Sequence, residues 1–79
     1  MGRYLSAEKM HNDDFGDRFT MQVGEVVYDA ATKMTNGRLG PWATMSEKSY
    51  KLNGYGKLGL GLGQKYVRNA AGELHKVEG

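Results

Sequence analysis

Few side chains in this sequence could do covalent or metal chemistry. There are two histidines, His11 and His75, and no cysteine. A zinc or nucleophile-base centre would have to bring both histidines together with carboxylates from opposite ends of the chain. His75 stands between Leu74 and Lys76 in a short alternating run and reads as a surface residue. The serines and threonines have no base partner at a recognisable spacing. Asp13, Asp14 and Asp17 could hold a hard cation loosely, but they lack the twelve-residue calcium-loop pattern and read as a solvated turn. Within them Asp14-Phe15-Gly16 spells the magnesium-binding tripeptide of protein kinases, without any of the other motifs that give it meaning. No catalytic centre, metal or cofactor is expected.

Glycine carries the next candidate. Gly54-Tyr55-Gly56-Lys57-Leu58-Gly59 matches G-x-G-x-x-G. Phosphate-cradling versions of that motif follow a strand and open a helix, whose free amides meet the phosphates. Here the predicted order is reversed, with a helix before and a strand after, so close backbone packing is the better reading. Binding chemistry is more plausible than catalysis. Trp42, Tyr50, Tyr55 and Tyr66 interleave with lysines, and such pairs serve protein interfaces as well as nucleic acid. Trp42 and Tyr66 read as core. The expected partner-contacting residues are Lys48, Lys51, Tyr55, Lys57, Lys65 and Arg68.

The elements that would position these residues can be read in order. Ser6 to Met10 could open a short helix, with Ser6 as its cap. Residues 1–17 as a whole are expected to be loosely ordered. Phe19 to Val23 alternates apolar with polar, Gly24 interrupts and Val26-Val27-Tyr28 resumes, which predicts one bulged strand over residues 18–29. Asp29 to Thr32 and Asn36-Gly37 read as turns. Trp42 to Met45 reads as a short strand behind Pro41, whose missing amide hydrogen suits a sheet edge. Ser46 to Gly54 is the best helix, capped by Ser46, ended by a left-handed Asn53-Gly54 exit, and held by Met45, Tyr50 and Leu52. Leu58, Leu60 and Leu62 alternate with glycines, which predicts a strand with a leucine edge turned to the core or to a dimer seam. Two further alternating runs, Gln64 to Arg68 and Leu74 to Val77, predict a closing hairpin.

Seventy-nine residues make one domain, α+β, with an antiparallel sheet of about four strands and one short helix. A chain this short buries only about 60% of its unfolded surface, and it has no disulfide to compensate. A homodimer is therefore expected. No apolar run approaches the roughly 20 residues of a membrane span, and the N-terminal residues show no apolar signal region, so a cytoplasmic protein without membrane contact is expected. The net charge of +2 conceals a balance of −3 over residues 1–30 and +5 over residues 31–79. That basic half could meet nucleic acid or an acidic protein face.

Gly40-Pro41-Trp42-Ala43-Thr44-Met45-Ser46, the run from Gly54-Tyr55-Gly56 to Gly63-Gln64-Lys65-Tyr66, and Lys76-Val77-Glu78-Gly79 carry a resemblance. Residues 40–79 are similar to the C-terminal half of small proteins encoded by tailed phages and prophages. No catalytic motif accompanies the match. Because single-domain phage proteins of this size, anti-CRISPR proteins among them, often block a host machine, the resemblance implies an inhibitor acting in the host cytoplasm. Its implied partner is a host protein complex such as a CRISPR effector. The alternatives are a small RNA- or DNA-binding protein using the basic half, or a minor virion component.

Overall fold

The computed structural model describes residues 7–79. Its elements run β1 (Val26–Lys33), β2 (Leu39–Ser46), α1 (Glu47–Asn53), β3 (Gly63–Arg68) and β4 (Leu74–Glu78). The strands form one antiparallel sheet in the order β2-β1-β3-β4, and α1 packs on β1 and β2. The expected α+β architecture of four strands and a short helix is what the chain adopts.

Period-two alternation sends successive residues of β1 to opposite faces, and each face carries its own small core. On one side Val27 packs with Tyr66, Leu74, Phe19 and Ala7. On the other, Tyr28, Ala30, Ala43 and Met45 meet α1 through Tyr50, with Val26 and Leu58 at the margin. The Tyr28 and Tyr50 rings stack with centroids 3.9 Å apart and planes 3° from parallel. This stack fastens a helix of seven residues, which is too short to persist alone in water. Ser46 caps it as expected, accepting the Ser49 amide at 3.1 Å. Leu52, expected to help hold it, is 71% exposed.

β1 begins and ends later than the sequence pattern predicts. Residues 18–25 are not strand, and Gly24 sits in a turn where the Glu25 amide donates to the Gln22 carbonyl. The reason is the Glu25 carboxylate, which accepts the Thr20 amide at 2.6 Å and the Met21 amide at 3.0 Å and so curls this stretch. Phe19 is buried all the same, as an anchor rather than a strand residue. Asp29 to Thr32, read as a turn, is the middle of β1. Ala30 and Ala31 are fully buried there, and small side chains are what that position requires. Gly63 of β3 lies opposite Ala30, and a methyl group on Gly63 would collide with the Ala30 side chain.

The leucine-glycine alternation does not make a strand. Gly56, Gly59, Gly61 and Gly63 all have positive φ, and Gly59 and Gly63 exchange backbone hydrogen bonds of 2.9 and 3.0 Å across a tight turn. Alternating leucines with residues in the left-handed region coils the chain, which defeats the period-two pattern. Leu58 is half-buried against the helix-side core, and Leu60 is fully exposed at the turn's tip. The leucine edge proposed as a dimer seam is therefore not present in this fold. The segment instead continues the sheet beside β1, with the Tyr55 amide donating to Ala31 and the Ala31 amide donating to Leu62. Gly54 leaves the helix in extended conformation, not left-handed, and any side chain there would strike the Tyr50 ring.

Residues 1–17 were expected to hang loosely. Residues 1–6, with the Ser6 cap, lie outside the described residues; residues 7–9 are helical and residues 12–18 form a fastened loop. Asp13 is buried and accepts the amides of Phe15 and Asp17 on one oxygen and of Ser46 on the other, at 2.8 to 2.9 Å. Asp14 accepts the Thr44 amide at 2.7 Å, and its own amide donates to the Thr44 carbonyl. The loop thus lies along the outer edge of β2 and satisfies its unpaired groups.

Two predictions follow from this packing. Leu60→Ala should change stability by no more than about 0.5 kcal/mol, as for other exposed sites, whereas Gly63→Ala should cost about 3 kcal/mol through overpacking and backbone strain. Urea denaturation of the two variants beside the wild type measures both. The second prediction concerns acid. Burial alone would raise the Asp13 carboxyl, but the Ser46 amide, the Ser49 side chain and the Asp17 and Phe15 amides hold it below the ordinary carboxylate value of 3.8. A depressed folded-state pKa adds stability that is fully present above that value and lost as pH falls through the lower folded one. Thermal melts from pH 7 down to pH 2 should show that loss in the wild type. Asp13→Asn should be less stable at pH 7 and converge with the wild type at the acid end.

Candidate functional site

The six residues expected to contact a partner separate once folded. Lys48 and Lys51 are exposed on α1, and Lys57 is exposed on the glycine segment just beyond it. Tyr55 is half-buried, its amide tied to Ala31. Lys65 lies half-buried on β3 with Tyr28 as its cross-strand neighbour, so it shares the sheet face that carries α1. Arg68 is not a surface residue. Its side chain is 1% exposed, with Nε 3.0 Å from Glu25 Oε1 and Nη1 donating to the carbonyls of Glu8 and Gly72 at 3.1 and 2.9 Å. Arg68 is expected as a contact because it is one of the cations interleaved with Tyr66 and the other aromatics; the fold instead turns it inward to an acid 43 residues away.

What surrounds Lys48 and Lys51 is more telling than the lysines themselves. Phe15 is 48% exposed and Leu52 71% exposed. The two line one open groove of about 360 Å³ together with Lys48, Gly16 and Asn53. A second groove, of about 280 Å³, adjoins it through Asp17 and Lys48 and runs past Arg18 and Glu47. Phe15 is displayed on a backbone that cannot easily retreat. Its amide is bound by Asp13 Oδ1, and the next amide, of Gly16, donates to the Asp13 carbonyl at 3.1 Å. The turn that looked like solvated loop is a rigid mount for an exposed aromatic ring.

The three aspartates are committed to that mount. Asp17 accepts the Ser46 hydroxyl, while Asp13 and Asp14 hold amides as described. Among the described residues no group of three or more histidines, cysteines, aspartates or glutamates is placed to hold a metal ion. His75 is exposed beside Asn69, with Nε2 2.7 Å from the Asn69 amide nitrogen and 3.9 Å from Glu73. Burial pushes the Tyr28 hydroxyl up, with Glu47 and Tyr50 adding to it, and the Tyr50 hydroxyl is likewise pushed up by burial, so both stay protonated at neutral pH. No helix of the described residues is long and apolar enough to cross a membrane.

Two surface features escape a reading of the sequence. Phe15 sits in the dismissed kinase-like tripeptide, and the signal that could have found it is an aspartate two residues before an aromatic, the spacing of an aspartate-anchored turn. The other lies on β2. Ala31 pairs with Trp42 and Lys33 with Leu39, so two steps on β1 match three on β2, and a bulge results. Trp42, expected as a core anchor, is 36% exposed, and Leu39 is 47% exposed. Comparison with protein-family models, with curated proteins and with solved structures finds no match for the chain.

Proposed function

We propose that this chain is a non-enzymatic binding protein that docks stoichiometrically on a partner protein through α1 and the Asp13–Asp17 turn. The observation that carries the reading is the pair Phe15 and Leu52, exposed together in one groove beside Lys48 and with Lys51 on the same short helix. Protein interfaces have this composition, an apolar and aromatic centre within a polar rim. Holding Phe15 on a hydrogen-bonded turn lowers the conformational entropy that binding must overcome. The partner that fits is an apolar surface bordered by acidic residues. The resemblance of residues 40–79 to small phage-encoded proteins supports a host protein complex in that role, with a CRISPR effector the leading instance and the host cytoplasm the place of action.

Inhibition assays against a panel of host CRISPR effector complexes test this. The wild-type chain should block target cleavage by at least one of them at near-equimolar ratio. Phe15→Ala with Leu52→Ala should weaken that inhibition about a hundredfold or more, as expected when two interface anchors are truncated. Lys48→Glu should weaken it further, while Lys9→Glu, exposed in the N-terminal segment, should change little. A well-folded double variant that inhibits as the wild type does would remove this surface from consideration. A panel in which no effector is inhibited would remove the partner class.

A further inference from the structure

The bulge in β2 has a consequence for the far end of the β1–β2 hairpin. Residues directly opposed in an antiparallel pair share a face, and Ala31 and Lys33 share one because they are two apart. Their partners Trp42 and Leu39 must then lie on that face as well, although they are three apart in sequence. Lys33, Leu39 and Trp42 are thereby gathered on one surface, which an unbulged strand would have divided. Met34, 49% exposed, lies beside Gly40 in the same region.

The hairpin end and the glycine segment carry charge of one sign. No carboxylate occurs from Ala30 to Ser46 or from Lys48 to Gly72. Lys33 and Arg38 are exposed on the hairpin and Lys57 on the neighbouring glycine segment. That segment stands in the same row of the sheet: Trp42 pairs with Ala31, and Ala31 bonds in turn to Tyr55 and Leu62. Two strand spacings, about 10 Å, therefore separate the Trp42 backbone from the glycine segment. Gly56 and Gly59 have nothing within 4 Å of where a side chain would stand, so a ligand's backbone can approach theirs closely. Asp29, which shares this face of β1, is buried.

From these placements we infer that the hairpin end and the glycine segment form a binding site for single-stranded nucleic acid. Trp42 is the stacking platform for a base, and Lys33, Arg38 and Lys57 neutralise the phosphates on either side. An aromatic ring on an open sheet face beside cations is how unpaired bases are held without reading their sequence. A polyanion is favoured over a protein because the hairpin end and the glycine segment expose three cations and contain no carboxylate. The site shares no residue with the α1 surface, so it stands or falls independently of the protein-docking reading.

Trp42 is the only tryptophan in the chain, so its fluorescence reports on this site alone. Titration with an oligothymidylate of about 12 nucleotides, enough to span one such groove, should quench it saturably. The logarithm of the binding constant should fall with the logarithm of salt concentration with a slope of about −2, as three neutralised phosphates on a single strand require. By anisotropy of a labelled oligonucleotide, Trp42→Ala should bind at least about tenfold more weakly, the loss expected from one stacked base. Lys33→Glu with Arg38→Glu should abolish binding while leaving the circular dichroism spectrum unchanged. Three results would each overturn the inference. They are absence of quenching at about 100 μM oligonucleotide, a Trp42→Ala chain that binds as tightly as wild type, and equal binding of polyglutamate, which would assign the surface to an acidic protein.

Discussion

Arg68 holds together the parts of this fold that have no regular structure. The apolar core is thin: four of its ten buried hydrophobic residues are alanines, and the largest fully buried side chain is Arg68 itself. Its guanidinium reaches the carboxylate of Glu25, the carbonyl of Glu8 in the N-terminal segment and that of Gly72 in the β3–β4 turn. Glu25 in turn curls residues 20–25 through two amides, and the Glu8 carboxylate accepts the Leu74 amide at the start of β4. Removing either member of such a buried pair typically costs about 3–5 kcal/mol, because the other charge is left without compensation. For a domain whose total stability is of the order of 5–15 kcal/mol that is a large share. The pair is therefore better understood as fixing which loops lie where than as adding net stability over an apolar replacement.

A second constraint is the pair of sheet edges, since an open antiparallel sheet leaves unpaired amides and carbonyls on both outer strands. On β2, the Asp13–Asp14 loop takes up the groups at Thr44 and Ser46, and the rest of the edge carries Pro41 and the bulge. On β4, Leu74 donates to Glu8, a register shift breaks the ladder between Lys65 and Tyr66, and Lys76 is exposed. Bulges, proline, lysine and covering loops are the means by which natural sheets resist pairing with another chain. With the edges closed, what remains open is side chains on the faces and loops, where Phe15, Leu52 and Trp42 stand exposed.

Local signals in the sequence were sound where only local physics decided the outcome. The Ser46 cap, the Asn36-Gly37 turn, Pro41 on an edge strand and the closing hairpin are all determined by residues within a few positions of one another, and all are present. Misreadings came where something outside the alternation pattern, whether a neighbouring carboxylate, a facing strand or a positive φ, overrode it. Residues 19–23 alternate like a strand, but Glu25 binds their amides; Ala30-Ala31 looks like a turn until Gly63 is seen packed against it. The leucine-glycine run has period two in sequence and no strand in space, because its glycines take positive φ. For the site, Lys48, Lys51 and Lys57 were legible as exposed cations beside aromatics. Arg68 was not, since its partner lies in another part of the chain, and neither were Phe15 and Trp42, whose exposure is set by a buried aspartate and a register shift.

Both candidate binding surfaces arise from the same devices that close the edges. To cover Thr44 and Ser46 the chain must place Asp13 and Asp14 side by side along β2, and the turn required to do so, tied at the Phe15 and Asp17 amides, leaves the intervening aromatic ring with no core to enter. To break the outer half of the same edge, β2 takes an extra residue at Gly40-Pro41, and that insertion carries Leu39 onto the face of Trp42. An exposed apolar side chain is ordinarily a matter of indifference at one position and a liability in a group. Here each group is the geometric by-product of an edge-closing element and is bordered by lysine or arginine. Lysine and arginine oppose self-association through like charge while attracting a negatively charged partner, so the edge devices and the cations act in the same direction. A fold with so small a core can therefore keep aromatic side chains in solvent within borders of like charge.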